Sequence, residues 1–130
     1  MTPHEITEAL HEAFRMKLSG WELLLDTERA VAECNGIGAR WMGWFCKVLN
    51  ILCPSLVTAS AIHDMRYFKN QGDRHKWDDE FESNCRVILR DKYGVFNPVR
   101  YFGYYLVHKL RGALTIGGGI AWNTAKEKSE

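Results

Sequence analysis

The chain has 130 residues, of which 46% are hydrophobic and 25% are charged, and its formal net charge is +1. These values are typical of one globular domain with its own core, and they exclude a disordered chain and a two-domain protein. A charge so near balance gives no electrostatic case for nucleic acid and no clear case for an anionic membrane surface.

The cysteines and the apolar runs indicate where the protein resides. Cys34, Cys46, Cys53 and Cys85 form no Cys-x-x-Cys pair, so we expect free thiols rather than disulfides or a zinc site. The first 15 residues are polar and acidic, unlike a secretory signal, and charged residues or proline interrupt every long apolar run. We therefore expect a cytoplasmic protein with no signal peptide and no transmembrane helix.

The apolar spacing predicts an all-α fold. Ile6, Leu10 and Phe14 recur at helical intervals after Thr2-Pro3, which predicts a helix over residues 3–18. Further helices are predicted from Trp21 to Cys34, from Trp41 to Leu52, from Ser55 through Lys69, from Asp73 to about Lys92, and from Asn97-Pro98 onward.

The C-terminal part is predicted to leave the helical pattern. Residues 114–122 contain three consecutive glycines and are expected to form a closing flap rather than a helix. Residues 123–130 are predicted to be a flexible tail, which leaves one domain over residues 1–122.

The chemistry is concentrated in residues 57–85. The break at residues 70–73 predicts two antiparallel helices, and a hairpin folded about residue 70 pairs positions whose numbers sum to about 141. His63 should therefore face Asp78. Tyr67, four residues after His63, shares its helix face, whereas Asp64 is turned about 100° away.

These residue types suit base catalysis beside a cation. A carboxylate fixes the tautomer of a histidine and stabilises the imidazolium, so His63 backed by Asp78 would be a general base for water near neutral pH. Asp64, directed elsewhere, would suit a hard cation such as calcium. Asp79 is expected to be solvated.

The order of these motifs resembles the phospholipase A2 superfamily, in particular small phage- or prophage-encoded proteins. The resemblance spans residues 34–122 and consists of four elements: Asn-Gly-x-Gly at 35–38, the helix at 55–67 with His-Asp-x-x-Tyr, Asp-x-x-Phe-x-x-Asn at 78–84, and the stretch Tyr-Tyr-Leu-Val-His at 104–108. Trp77 and Ile37 depart from it, and we expect Trp77 to crowd the substrate slot.

The resemblance implies a phospholipase A2-like helical domain with catalytic residues His63, Asp78 and Tyr67. It also implies a Ca²⁺ site at Asp64, completed by the backbone carbonyls of Cys34, Gly36 and Gly38. The two glycines fit a helix C-cap followed by a tight turn equally well. A tyrosine of the segment after Pro98 would hydrogen-bond the carboxylate behind His63.

Three functions remain open from the sequence. The first is a calcium-dependent ester hydrolase acting on phospholipid, in contact with a membrane surface. The second is a catalytically silent phage accessory or host-interaction protein, located in the host cytoplasm or the virion, that keeps the scaffold and binds a host protein. The third is a metal-dependent phosphohydrolase using His75 and His108 as further ligands.

Overall fold

The computed structural model describes residues 1–34 and 43–129, and the described part is helical with no strand, which confirms the all-α prediction. Its elements are α1 (Pro3–Met16), a 3₁₀ helix (Trp21–Leu25), α2 (Thr27–Glu33), α3 (Gly43–Leu52), α4 (Leu56–Lys69), α5 (Arg74–Lys92) and α6 (Pro98–Ser129).

Local capping explains where α1 begins and ends. The Thr2 hydroxyl accepts a hydrogen bond from the Glu5 amide, and the Glu5 carboxylate accepts one from the Thr2 amide, each at 3.1 Å. These two bonds satisfy amides that a helix N-terminus leaves unpaired. Lys17 adopts a left-handed conformation, which ends the helix.

The helix predicted from Trp21 to Cys34 is interrupted. Asp26 lies between the 3₁₀ helix and α2, and its carboxylate accepts a hydrogen bond from the Arg29 amide at 3.3 Å. An aspartate that caps a helix N-terminus favours a new start over continuation, so two short helices replace one.

The helix pair α4 and α5 forms the centre of the fold, with residues 70–73 as its connection. Asn70 ends α4 in the left-handed conformation, and the Asp73 side chain caps α5. Helix α4 has an almost fully buried first half, and it packs against α1, α2, α5 and α6. The largest fully buried apolar side chains are Ile6, Leu18, Leu24, Leu49, Leu56, Ile62, Met65, Ile88, Leu89 and Val107.

The prediction that residues 114–122 are not helical is wrong. Helix α6 runs without a break from Pro98 to Ser129, so it also includes residues 123–129, whose flexibility stays a prediction. Two of the glycines of α6 serve close packing instead. A Cβ atom on Gly118 would lie 2.7 Å from the Tyr67 hydroxyl oxygen, and one on Gly103 would lie 2.9 Å from Leu89. The free energy gained by close packing therefore outweighs the low helix propensity of glycine.

Two further expectations can be compared with this architecture. Cys34, Cys53 and Cys85 are free, buried thiols, as predicted, whereas the side chain of Cys46 is outside the described part. Within residues 1–34 and 43–129, no helix has both the length and the apolar character needed to cross a bilayer.

Candidate active site

The predicted contact between the two hairpin helices is present. His63 Nε2 lies 2.8 Å from Asp78 Oδ1, and the Asp78 side chain is fully buried. Because an ionised carboxylate only accepts hydrogen bonds, Nε2 carries the proton in this pair and Nδ1 is the basic nitrogen of the neutral ring. This tautomer places a proton acceptor on the side of the imidazole away from Asp78.

Tyr67 contacts the same carboxylate oxygen. Its hydroxyl donates to Asp78 Oδ1 at 2.7 Å, so the tyrosine behind the His–Asp pair comes from α4. The prediction of such a tyrosine from α6 is not met by the described contacts, because Tyr101 donates to the Val95 carbonyl and Tyr104 accepts from Arg100.

The environment keeps Asp78 charged. Burial alone would raise the pKa of this carboxyl, but the hydrogen bonds from His63 and Tyr67, the charge of His63 when its ring is protonated, and the charge of Arg111 outweigh burial and lower the pKa. The pKa of Tyr67 is raised by burial and by its bond to Asp78, so the phenol stays protonated. The site therefore contains one buried anion held by two donors.

Ring packing orients the imidazole. The His63 ring centre lies 4.4 Å from that of Tyr67 and 5.1 Å from that of Phe81, and 9% of the residue remains exposed. No hydrogen bond to Nδ1 is present among the residues that the structure describes. The ring is thus held between two aromatic side chains while a small part of its surface still meets solvent.

Helix α6 covers one side of this cluster. Arg74 donates to the carbonyl oxygens of Leu114 and Thr115 at 2.9 and 3.3 Å, and its Nη1 lies 3.9 Å from Asp78 Oδ2. Oδ2 is buried and has no hydrogen-bond partner in the described part of the chain. Gly118 packs on Tyr67 and Arg74, so the absence of a side chain there allows α6 to approach the site.

The predicted calcium ligands are described only in part. Asp64 is half-buried on α4. The pKa of the Cys34 thiol is raised to about 12, mainly because the thiol is buried and secondly because of the negative charge of Asp64, so the two residues are electrostatic neighbours. The Cys34 carbonyl accepts a hydrogen bond from the Met1 amine at 2.7 Å. Gly36 and Gly38 lie outside the described residues.

The side chains alone do not assemble a metal centre in the region described. No group of three or more His, Cys, Asp or Glu residues suited to a metal ion occurs within residues 1–34 and 43–129. The predicted site depends mainly on backbone carbonyls, and two of them, those of Gly36 and Gly38, lie outside the described residues. The chemistry of the two described donors, a carboxylate and a carbonyl, fits the hard oxygen ligands that calcium prefers.

A second polar cluster beside the site was not predicted. Arg66 binds Glu80 through two hydrogen bonds of 3.0 and 2.9 Å, and Glu80 also accepts from the Ser19 hydroxyl at 2.8 Å. Buried Asn84 binds both the amide and the carbonyl of Ser19, at 3.0 and 2.9 Å. These bonds fix α5 against the segment after α1. The pairing rule of the hairpin does not single out this contact, because Arg66 reaches Glu80 more than one helical turn from the position opposite it.

Four other residues named from the sequence, Trp77, His75, His108 and Asp79, have other partners or lie exposed and make no described contact with His63. The guanidinium carbon of Arg66 lies 4.0 Å from the centre of the Trp77 ring, and the Trp77 indole N–H donates a hydrogen bond to the Gln71 carbonyl. His108 is exposed beside Glu82, and His75 is exposed near the start of α5, so neither joins the His63 cluster through a described contact. Asp79 is exposed as predicted, but Arg111 binds it at 2.9 Å.

Comparisons of the chain with protein-family models, with curated proteins and with solved structures produce no match.

Proposed function

We propose that the protein hydrolyses a carboxylic ester of a glycerophospholipid, with His63 as the general base. The observation that carries this proposal is the 2.8 Å bond from His63 Nε2 to the fully buried Asp78 carboxylate. The resemblance to the phospholipase A2 superfamily supplies the substrate class, and it rests on sequence motifs alone.

In this reaction Nδ1 of His63 takes a proton from water as the water oxygen attacks the ester carbonyl carbon. Asp78 stabilises the imidazolium that forms, and Tyr67 holds Asp78 in place. The proton then passes to the alkoxide oxygen as the carbon–oxygen bond breaks, which releases a fatty acid and a lysophospholipid. Asp78 and Tyr67 act as positioning residues, because they reach the substrate only through His63.

A calcium ion fits the donor chemistry of Asp64 and the Cys34 carbonyl. When bound, such an ion supplies positive charge to the substrate phosphate and to the oxyanion that develops at the carbonyl, an effect worth several kcal/mol in comparable sites. Asp64 would contribute the charged ligand of such an ion and the Cys34 carbonyl a neutral one.

The proposal is tested with the His63→Asn variant on a short-chain phosphatidylcholine dissolved as monomers, in the presence of calcium. We expect the variant to lose at least about a hundredfold in turnover, as expected for a general base, while its circular dichroism is retained. His75→Asn is the matched control, because this histidine is exposed on α5 and should leave turnover unchanged. Equal turnover in His63→Asn and wild type would remove His63 from the mechanism.

The calcium ligand is tested separately by titration calorimetry on wild type and on Asp64→Asn. We expect heat of binding in the wild type and at least a tenfold weaker affinity in the variant, because a carboxylate provides a charged ligand that an amide lacks. Equal affinities would show that Asp64 does not bind the ion.

A non-catalytic binding role is the second candidate, and one observation favours it. Arg74 and Gly118 bring α6 directly against the cluster, which leaves His63 only 9% exposed. A buried polar cluster with a purely structural role would also have its groups hydrogen-bonded to one another in this way. A wild-type protein that binds no calcium up to millimolar concentration and hydrolyses no monomeric ester would favour this role.

A further inference from the structure

One surface of the molecule carries large apolar side chains that the fold leaves exposed. We call it the aromatic face and define it by Val95, Phe96, Tyr101, Phe102, Tyr105 and Ile116. Phe96 is 97% exposed and Ile116 is 88% exposed, and the remaining members are about half exposed. Phe102, Tyr105 and Ile116 are spaced so that they project from one side of α6, over about 20 Å of its length.

The segment that includes most of this face has an excess of positive charge. Residues 86–111 contain six Arg or Lys and one Asp, a formal charge of +5. Residues 1–33 contain three Arg or Lys and seven Asp or Glu, a formal charge of −4. The net charge of +1 therefore conceals a polarised chain in which the cations coincide with the exposed aromatic side chains.

The cations lie directly on the aromatic rings. Lys109 Nζ is 5.5 Å from the centre of the Tyr105 ring, and the Arg100 guanidinium carbon is 5.8 Å from those of Tyr101 and Tyr104. Long basic side chains that lie along aromatic surface, with their charges at its border, suit the boundary between phospholipid headgroups and acyl chains.

We infer that the aromatic face docks on a bilayer surface that contains anionic phospholipid. The inference goes beyond the proposed function, since Phe102, Tyr105 and Ile116 lie on the side of α6 turned away from Gly118 and the His63 cluster, and it rests on that function only for the choice of a phospholipid. Arg100 and Lys109, which lie on the rings of this face, would approach the anionic headgroups, and Phe96, Phe102 and Ile116 would enter the acyl boundary.

Two other occupants fit less well. A symmetric dimer through this face would bring two segments of +5 together, which like-charge repulsion opposes. Nucleic acid would be attracted by the charge and by the exposed rings, but the aliphatic Val95 and Ile116 at the two ends of the face offer it neither hydrogen bonds nor a stacking surface.

The test measures co-sedimentation of the full chain with vesicles of phosphatidylcholine, and with vesicles of equal parts phosphatidylcholine and phosphatidylglycerol. His63→Asn is used beside the wild type so that hydrolysis does not change the vesicles. We expect binding to the anionic vesicles, at least about tenfold weaker binding to the neutral ones, and weakening by added salt.

Matched variants assign the binding to the face. Phe102→Ser should lower the partition coefficient about tenfold, and Leu25→Ser, an equally exposed apolar position in the acidic segment, should leave it unchanged. Lys109→Gln should lower it about fivefold, and Lys69→Gln, exposed outside the basic segment, should lower it less. Circular dichroism establishes that each variant is folded.

Four results would overturn the inference. They are no binding to anionic vesicles, equal loss in Phe102→Ser and Leu25→Ser, a dimer that Phe102→Ser dissociates, and polyuridylate that displaces the protein from vesicles at stoichiometric amounts. Failure here is distinguishable from failure of the proposed function. Hydrolysis of a monomeric ester needs His63 and not the aromatic face, whereas vesicle binding needs the face and not His63.

Discussion

Asp78 is a single carboxylate whose surroundings decide its charge. It is fully buried, which opposes ionisation, yet His63 and Tyr67 both donate to Oδ1 and Arg111 adds a favourable charge. A buried anion is stable only when donors replace the water that it loses. The same donors hold the imidazole in one tautomer, so structural stability and the proposed chemistry depend on one residue.

Replacing Asp78 by Asn tests this dependence. The change removes a charged acceptor, so we expect the free energy of unfolding in urea to fall by about 1–3 kcal/mol. Asp79→Asn is the matched control, because that neighbour is exposed, and we expect a change of about 0.5 kcal/mol or less. Equal effects of the two variants would contradict a central role for Asp78.

The lowered pKa of Asp78 also predicts a pH dependence. A carboxyl whose pKa is lower in the folded state than the usual value of 3.8 stabilises the fold above that value, and this contribution disappears as pH falls through the folded pKa. We expect wild type to lose more unfolding free energy than Asp78→Asn when urea titrations are compared between pH 6 and strongly acidic pH. Parallel curves for the two proteins would refute the prediction.

Helix α6 is kept helical by its contacts with the rest of the fold. Its glycines lower helix propensity, but Gly118 permits contact with Tyr67 and Arg74, and Arg74 binds two α6 carbonyls. Asn70 adds a hydrogen bond to the Trp122 carbonyl at 2.6 Å, and the Trp122 ring packs on Tyr67. Tertiary contacts therefore maintain a helix that local preference disfavours.

Two glycine-to-alanine substitutions separate these effects. At Gly112 a Cβ meets nothing within 4 Å, so alanine should raise the free energy of unfolding by about 0.5–1 kcal/mol through helix propensity. At Gly118 the Cβ would lie 2.7 Å from a Tyr67 hydroxyl that Asp78 holds in place, and we expect a loss of about 1–2 kcal/mol. Stabilisation by both substitutions would mean that α6 does not press on the site.

At the scale of the whole molecule, every helix contributes to one connected core, from Ile6 in α1 to Leu114 in α6. Such a core predicts a single cooperative unfolding transition. The sequence-based prediction of one domain over residues 1–122 adds that a chain ending at Trp122 should unfold at the same temperature as the full chain. Thermal melts followed by circular dichroism and by tryptophan fluorescence should coincide; separated transitions would contradict a single domain.

The distribution of charge is another property of the whole molecule. The net charge of +1 gives no case for binding to an anionic surface. It is, however, the sum of unlike segments, since residues 1–33 carry a formal charge of −4 and residues 86–111 one of +5. Only the exposure of Phe96 and Phe102 shows that the basic segment also carries an uncovered apolar surface, which Ile116 extends just beyond it. Average composition cannot show this, because it carries no information on which side chains remain exposed.

The sequence by itself determined the helical class, most helix starts, the turn at residues 70–73 and the facing pair His63 and Asp78. These features depend on local spacing, capping residues and the geometry of a short hairpin, all of which act over a few residues. Tertiary structure alone decided that α6 continues through its glycines, that Tyr67 supplies the hydroxyl to Asp78, and that Asn84 binds Ser19. Those outcomes depend on contacts between residues distant in the chain, where packing and buried hydrogen bonds outweigh local preference.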